Sequence, residues 1–258
     1  MWLDDYAYQN RWRRRPPVEK AIPALLCLGA AVISRSPVVP LLVLVLMSGL
    51  VLLGARIPWQ AWLRLLALPL AFLSAGTVAM ALSFTGADLL IGEVPLLHLP
   101  VGLSRAGLSQ AGQTLARALG AVSCLGFLAL TTPMTELIGL LRKVRVPVLF
   151  LELMALAYRH LFLLLEALRQ IRIAQAARLG YATHGNAWRA LSGLGGSLLV
   201  RTMVRSRQLH LALMARGYED EIRCLEENYP QSPGNLVAGA VVGLVFLWLA
   251  IFLPIGRP

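Results

Sequence analysis

Long apolar runs constrain this chain more than any other feature of its sequence. The first four lie at residues 21–34, 38–54, 62–84 and about 108–130. A helix needs about 20 residues to cross a hydrocarbon core about 30 Å thick, so the third and fourth runs are long enough to span. The first two are short and are split by Arg35, Ser36 and Pro37. They predict either a tight hairpin of short or tilted helices or a re-entrant pair.

A fifth apolar run, at residues 236–253, completes a membrane protein of about five transmembrane helices. Composition supports this class, because 57% of the residues are hydrophobic and only 14% are charged, against about 25% charged in soluble domains. The net charge of +11 comes from arginines that flank the apolar runs. That placement indicates membrane topology rather than a nucleic-acid surface. We therefore predict an all-α polytopic membrane protein.

The distribution of Lys and Arg orients the spans, because basic residues resist translocation. Residues 11–20, Arg56 with Arg64, and the arginine-rich stretch 142–223 fall on one side, whereas residues 84–105 carry Asp88 and Glu93 but no basic residue before Arg105. We predict a retained cytoplasmic segment at residues 1–20, spans within 21–131, cytoplasmic helices within 132–230 and a last span within 231–258. The N-terminus lies in the cytoplasm in this scheme, and the membrane is expected to be the bacterial inner membrane.

The polar region at residues 132–230 predicts three helices. A short amphipathic helix ends near Arg142 and Lys143, and a long helix follows from residue 148 to Arg178. A second long helix, from about residue 187 to Arg216, is interrupted by glycines that include Gly195 and Gly196.

The two long helices end on near-repeats: Ala177, Arg178, Leu179, Gly180, Tyr181 and then Ala215, Arg216, Gly217, Tyr218. A glycine just past a helix stops it in the left-handed conformation, and an arginine in the last turn lies at the negative end of the helix dipole. The repetition predicts docking sites for cytoplasmic partners. The alternative is two ordinary helix ends.

Residue patterns for catalysis are missing from the sequence. No phosphate-binding loop with its lysine occurs, the four histidines have no metal-ligand spacing, and no nucleophile elbow is present. We expect no cofactor and no metal site. Arg117, inside the fourth run, is interpreted as pairing with backbone carbonyls or snorkelling rather than as part of a permeation path. Gly239 and Gly243 are four residues apart and predict close helix packing.

Several segments resemble one family of membrane proteins. They are Asp4-Asp5-Tyr6-Ala7-Tyr8 with Asn10-Arg11, Thr132-Pro133 before Leu140-Leu141-Arg142-Lys143, Tyr158-Arg159, and the two Ala-Arg motifs at Ala177-Arg178-Leu179 and Ala215-Arg216-Gly217. The chain resembles, over nearly its whole length, the transmembrane T component of energy-coupling factor transporters of the cobalt/nickel type (CbiQ). It departs from the family at its first motif, where Leu179 stands in place of the common glycine.

The resemblance implies a non-catalytic subunit of an ATP-driven cobalt or nickel importer. Its implied partners are two ATP-binding cassette ATPase subunits, a membrane S component that captures the metal ion, a small accessory membrane subunit and the lipid bilayer, with no nucleic acid. Arg178 and Arg216 would each enter a groove on one ATPase subunit, with Ala177, Ala215 and Gly217 permitting close approach. Gly195 and Gly196 are a candidate hinge, although close helix crossing would explain them equally.

Three alternatives remain. A conventional permease would bind its own substrate, a membrane-bound enzyme would need a polar catalytic cluster, and a nucleic-acid-binding protein would use Arg201, Arg205 and Arg207 with salt-sensitive affinity.

Overall fold

The computed structural model describes residues 2–83, 89–96, 99–218 and 233–252. Its helices are α1 Trp2–Gln9, α2 Pro17–Ile33, α3 Val38–Gly49 with a π-helical turn at Leu50–Gly54, α4 Trp59–Ala81, α5 Arg105–Thr131, α6 Met134–Lys143, α7 Val148–Ala177, α8 His184–Ala215 and α9 Pro233–Phe252. This confirms the predicted helical class.

The chain divides into two compact units. The first, here called the bundle unit, comprises Met1–Leu137 and Glu227–Pro258; the second, the hairpin unit, comprises Ile138–Glu226. The boundary after residue 137 lies close to the predicted one at 131. The predicted division into membrane and cytoplasmic parts stays a prediction.

A small antiparallel sheet connects α4 to α5 in the bundle unit. Its strands are β1 Leu82–Ser83, β2 Leu89–Leu96 and β3 Leu99–Ser104, in the order β1-β3-β2. Strands β2 and β3 pair with Leu96 opposite Leu99 and Val94 opposite Val101. The lack of basic residues in this stretch predicts an external loop without strands, so the sheet is a departure from that expectation. Phe84 and Asp88 lie outside the described residues.

Three described helices are long and apolar enough to cross a membrane: Ser109–Thr131 within α5, Val148–Ala177 and Pro233–Phe252. The segment Val38–Gly54 is apolar but shorter, and α2 has 17 residues. Helix α7 therefore meets the length and hydropathy expected of a span, although the distribution of basic residues predicts a cytoplasmic position for it.

The first two apolar runs form a pair of helices joined by a turn at residues 34–37. Arg117 of α5 donates from Nε to the carbonyl oxygen of Ser34 at 2.8 Å, and Gln113 donates to the carbonyl oxygen of Arg35. These bonds satisfy carbonyl groups of the turn that follows α2. Arg117 therefore pairs with a backbone carbonyl group, as its place inside an apolar run predicts.

Close packing in the bundle unit depends on glycines. A Cβ built on Gly243 lies 2.6 Å from the Cβ of Leu26 in α2, and one built on Gly120 lies 2.9 Å from the carbonyl oxygen of Pro40. Separations this short leave no room for a side chain, so α9 meets α2, and α5 meets α3, through glycine. The predicted packing face at Gly239 and Gly243 is confirmed.

The end of the bundle unit at which α2 begins and α5 ends is closed by polar contacts from the N-terminal segment. Lys20 is 2% exposed; its Nζ donates to the carbonyl oxygen of Thr131 at 3.0 Å and lies 3.8 Å from Oε2 of Glu136. Asn10 donates to the carbonyl oxygen of Leu130 at 3.1 Å. These bonds hold the C-terminal end of α5 beside the start of α2, so the two helices run antiparallel.

The hairpin unit consists of α7 and α8 with the end of α6. Helix α7 buries only Leu151 and Glu152, and α8 buries no residue. Thr183 caps α8, since its Oγ1 accepts from the Asn186 amide at 3.3 Å. The helix continues through Gly195 and Gly196 without a break, so the interruption predicted there is wrong.

Candidate functional site

Arg178 and Arg216 occupy the same position in two helix ends. Arg178 is the C-cap of α7 with φ −94° and ψ 17°; Arg216 is the C-cap of α8 with φ −97° and ψ 10°. The near-identity of these angles means that both arginines leave the last helical turn with the same backbone geometry. Both lie at the end where exposed carbonyl groups favour a positive charge.

The hydrogen bonds after each arginine form the same two-bond cap. At the end of α7, Gly180 donates to the carbonyl oxygen of Gln175 at 2.9 Å and Leu179 to that of Ala176 at 3.0 Å. At the end of α8, Tyr218 donates to the carbonyl oxygen of Leu213 and Gly217 to that of Met214, both at 3.1 Å. This six-to-one and five-to-two pair defines a Schellman motif.

The residue in the left-handed conformation differs between the two ends. Gly217 has φ 73°, and Leu179 has φ 56°. The sequence predicts that the glycine stops the first helix, but Leu179 holds the left-handed position and Gly180 follows it. A side chain in this conformation costs about 1–2 kcal/mol. Leu179 therefore takes the backbone role of Gly217 at a conformational cost, and Arg178 stays in register with Arg216.

The site residues are accessible at both ends. Ala177, Arg178, Leu179, Ala215, Arg216 and Gly217 are all exposed, and Leu179 exposes 73% of its surface. Within the described part of the chain, neither guanidinium forms an ion pair or a side-chain hydrogen bond. Each arginine is therefore available to an acceptor on another molecule.

Cross-links between the helices put the two arginines at opposite ends of the hairpin unit. Gln175 donates from Nε2 to the carbonyl oxygen of Ala190 at 2.9 Å, near the α7–α8 turn. Tyr218, after α8, donates from its hydroxyl to Oε2 of Glu152 at 3.3 Å, near the start of α7. Because α8 has 32 residues, Arg178 and Arg216 are separated by about 48 Å along it. The structure does not bring the two motifs together.

The tyrosine of each near-repeat takes part in these cross-links. Tyr181 donates to Oε1 of Gln175 at 2.7 Å, and Tyr218 bonds Glu152. The near-repeats include both tyrosines, but their sequence predicts neither the role of the tyrosines nor the roles of Gln175 and Glu152. The tyrosine that follows each motif is the sequence signal that could have pointed to these contacts. The partners lie 6 and 66 residues away from the tyrosines, so they cannot be identified before the helical hairpin is known.

The candidate hinge at Gly195 and Gly196 lies in open space. A Cβ built on either residue meets no described atom within 4 Å. Close helix crossing, the other explanation of these glycines, has no support among the described residues. The hinge itself stays a prediction.

Candidate metal ligands do not cluster in the described ranges: no group of three His, Cys, Asp or Glu side chains could hold an ion there. Cys27 and Cys124 are buried free thiols in one hydrophobic core. Cys224 and His98 lie outside the described residues.

Comparisons with known proteins agree with one another. Residues 9–224 match the family CbiQ, described as cobalt transport protein. The chain is 35% identical to the cobalt transport protein CbiQ of Rhodobacter capsulatus, over 94% of this chain and 93% of the relative. It is 31% identical to the CbiQ of Salmonella typhimurium, over 85% of this chain and 97% of that protein. A putative fused cobalt transport protein, CbiMQ of Methanocorpusculum labreanum, is 30% identical over 96% of this chain, which covers 41% of its length.

Proposed function

The chain belongs to the CbiQ family of cobalt transport proteins, and from that premise we propose that it is the transmembrane coupling component of an energy-coupling factor importer. It is a membrane protein of cobalt transport, and its relatives are transport proteins rather than enzymes. In the proposal, two ATPase subunits hydrolyse ATP and a membrane S component captures cobalt or nickel. This chain joins them at the inner membrane.

The matched ends of α7 and α8 carry the proposal. Two exposed arginines with the same C-cap geometry, Arg178 and Arg216, suit two copies of one kind of partner groove. Their position at opposite ends of the hairpin unit gives each ATPase subunit its own arginine. A guanidinium presents five donors in a fixed fork, which suits an acidic or carbonyl-lined groove.

The cross-links of the hairpin unit support mechanical coupling. When ATP closes the two ATPase subunits, their grooves move and carry the arginines with them. The bonds from Gln175 to Ala190 and from Tyr218 to Glu152 tie α7 to α8 near both ends. A displacement at one end is therefore carried through the pair as sliding or tilting, with Gly195 and Gly196 as the hinge.

Exposed apolar side chains on α7 and α8 are the proposed contact with the S component. The set comprises Leu153, Leu161, Leu163, Leu165, Leu199, Val200, Met203, Val204, Leu211 and Met214. Large exposed apolar surfaces mark protein or membrane contacts. The fused CbiMQ relative supports a membrane partner, because more than half of its length lies outside the part that this chain covers. A small accessory membrane subunit completes the proposed assembly.

Copurification with candidate ATPase subunits tests the proposal. We expect Arg178→Ala or Arg216→Ala to weaken binding by about 2–5 kcal/mol, because each leaves a groove without its charge. The double variant should lose both the complex and transport-coupled hydrolysis. Arg172→Ala and Arg207→Ala are matched controls, since both arginines are exposed within the same helices. An intact, active complex with the double variant would overturn the proposal. Cobalt transport by this chain alone would also overturn it, because it would identify the chain as a self-sufficient permease.

The cytoplasmic position of the hairpin unit needs its own test, because α7 is long and apolar enough to span. Single cysteines at Val144 and Ala182, in a chain without its native cysteines, lie just before and just after α7. We expect a membrane-impermeant thiol reagent to label both from the cytoplasmic side, the side we propose for the N-terminus. Labelling from opposite sides would place α7 across the membrane and contradict this arrangement.

A further inference from the structure

A lateral cleft in the bundle unit combines an apolar interior with a cationic mouth. It lies between the first turns of α2, the last turns of the α3 segment and the first turns of α9, and has a volume of about 230 Å³. Its apolar wall includes Pro23, Leu46, Ala238 and Val242. Ala238 and Val242 are exposed, so the cleft opens outwards between α2 and α9.

The mouth of the cleft is lined by Arg15, Glu19, Lys20 and Asn235. The ammonium of Lys20 is engaged by Thr131 and Glu136, and Glu19 is buried. Arg15 is exposed, and its guanidinium lies 4.6 Å from the centroid of the Trp12 ring. Trp12 in turn packs edge-on against Phe127, with the ring centroids 5.9 Å apart. Arg15 is thus a cation held at the mouth by an aromatic platform anchored in the core.

The cleft lies at the end of the bundle unit where the candidate span α5 ends and the candidate span α9 begins, and the ends of spans are expected at a membrane interface. Its lining comes from helix ends that meet at one end of the bundle, beside the basic segment at Arg13, Arg14 and Arg15. Tryptophan is enriched at the headgroup level of membrane proteins, and basic clusters next to spans attract anionic lipids. An amphiphile that places a phosphate at Arg15 and a hydrocarbon chain between α2, α3 and α9 satisfies both parts of the cleft.

We propose that this cleft is a binding site for one anionic phospholipid. The phosphate lies at Arg15 and one acyl chain fills the apolar wall between Pro23, Leu46 and Ala238. The amide of Asn235 at the mouth faces the glycerol region, where hydroxyl groups can donate to its oxygen. The inference goes beyond the proposed coupling function and does not depend on it.

Native mass spectrometry of the full chain tests the site. The chain is purified from nanodiscs that contain equal amounts of phosphatidylglycerol and phosphatidylcholine, and the lipid that stays bound is identified. We expect one phosphatidylglycerol per wild-type chain. Arg15→Gln should reduce the preference for phosphatidylglycerol about fivefold, the effect of one basic contact near the surface. Arg14→Gln, a neighbouring exposed arginine that does not line the cleft, should keep the wild-type preference.

A bulky substitution tests the apolar part of the same site. Ala238→Trp should fill the cleft and abolish retention, whereas Val237→Trp should not, because Val237 is at the same depth but 57% exposed on another face of α9. Thermal unfolding verifies that both variants fold; should Ala238→Trp fail to fold, Arg15→Gln decides alone. Equal retention of both lipids by the wild-type chain, or the same preference in Arg15→Gln, would overturn the proposal. A wild-type chain that retains no lipid would also overturn the proposal and would favour a helix of a partner protein as the occupant of the cleft.

Discussion

The two units of this chain are built on opposite packing principles. The bundle unit buries a continuous core in which Trp62, Phe127 and Met47 belong to one cluster, and the indole of Trp62 donates to Oγ of Ser48 at 3.1 Å. The hairpin unit buries only Leu151 and Glu152 along α7 and nothing along α8. Both units expose large apolar side chains, such as Phe72 in the bundle unit and Leu211 in the hairpin unit, but only the bundle unit also has a continuous buried core.

Glycine has a different meaning in each unit. Gly120 and Gly243 are positions where two helices touch and a Cβ would collide. Gly195 and Gly196 have empty space around them in the middle of a helix, where glycine lowers helix stability by about 1 kcal/mol relative to alanine. Packing explains the first pair, whereas the second pair has no structural reason within the described chain. The open space around Gly195 and Gly196 is compatible with the proposed hinge, which stays a prediction.

Breaking the buried ion pair of the bundle unit should have the largest effect. Lys20→Met removes the ammonium that binds Thr131 and Glu136, and truncating one partner of a buried pair costs about 3–5 kcal/mol. Thermal unfolding in detergent would show this as a lower midpoint. Lys143→Met is the control, because Lys143 is exposed. Equal midpoints for the two variants would contradict the assignment of Lys20 to a buried structural role.

Glycine-to-alanine substitutions should act with opposite signs in the two units. Gly243→Ala forces α9 away from Leu26 and should destabilise the chain by about 1–3 kcal/mol, as overpacking does. Gly195→Ala with Gly196→Ala should raise stability by up to about 1 kcal/mol per site while it lowers transport by the assembled complex. The midpoint of thermal unfolding and the cobalt uptake rate measure the two effects. Unchanged uptake in the double variant would remove the hinge.

Exchanging the left-handed residues tests the equivalence of the two helix ends. Gly217→Leu should destabilise the hairpin unit by about 1 kcal/mol, and Leu179→Gly should stabilise it by a similar amount. Hydrogen exchange at the last turns of α7 and α8 would report each change locally. Leu211→Gly, in the exposed interior of α8, should destabilise instead. If Leu179→Gly loosens the end of α7, Leu179 does not hold the strained position.

The smallest effect on stability is expected on the exposed face of α7. Leu153 is 55% exposed and Leu151 is 2% exposed. Leu153→Ala should change the free energy of unfolding by less than about 0.5 kcal/mol, whereas Leu151→Ala should cost about 2 kcal/mol or more. In the assembled transporter, Leu153→Ala should nevertheless weaken copurification of the S component. Equal losses of stability would show that the hairpin unit has a core of its own.

Periodicity and helix-end chemistry predicted much of this structure. The apolar runs became helices, the segment near Arg142 became the short helix α6, and Arg178 and Arg216 fell at helix ends as the near-repeats indicated. The sequence predicts that Arg117 pairs with backbone carbonyl groups, but it does not predict that Ser34 supplies the carbonyl oxygen. Sequence did not predict the strands between α4 and α5, whose short runs follow no clear alternation.

The sequence by itself determined the apolar helices, the family and the positions of both motifs along the chain, because these depend on local composition and on residues a few positions apart. Only the folded structure decided that Leu179 rather than Gly180 takes the left-handed conformation, because this is a local choice of cap register that the position of the glycine does not predict. It also decided that the two arginines lie at opposite ends of one helical hairpin, and that Lys20 reaches the end of α5. These are contacts between residues far apart in sequence, and chain folding alone brings them together.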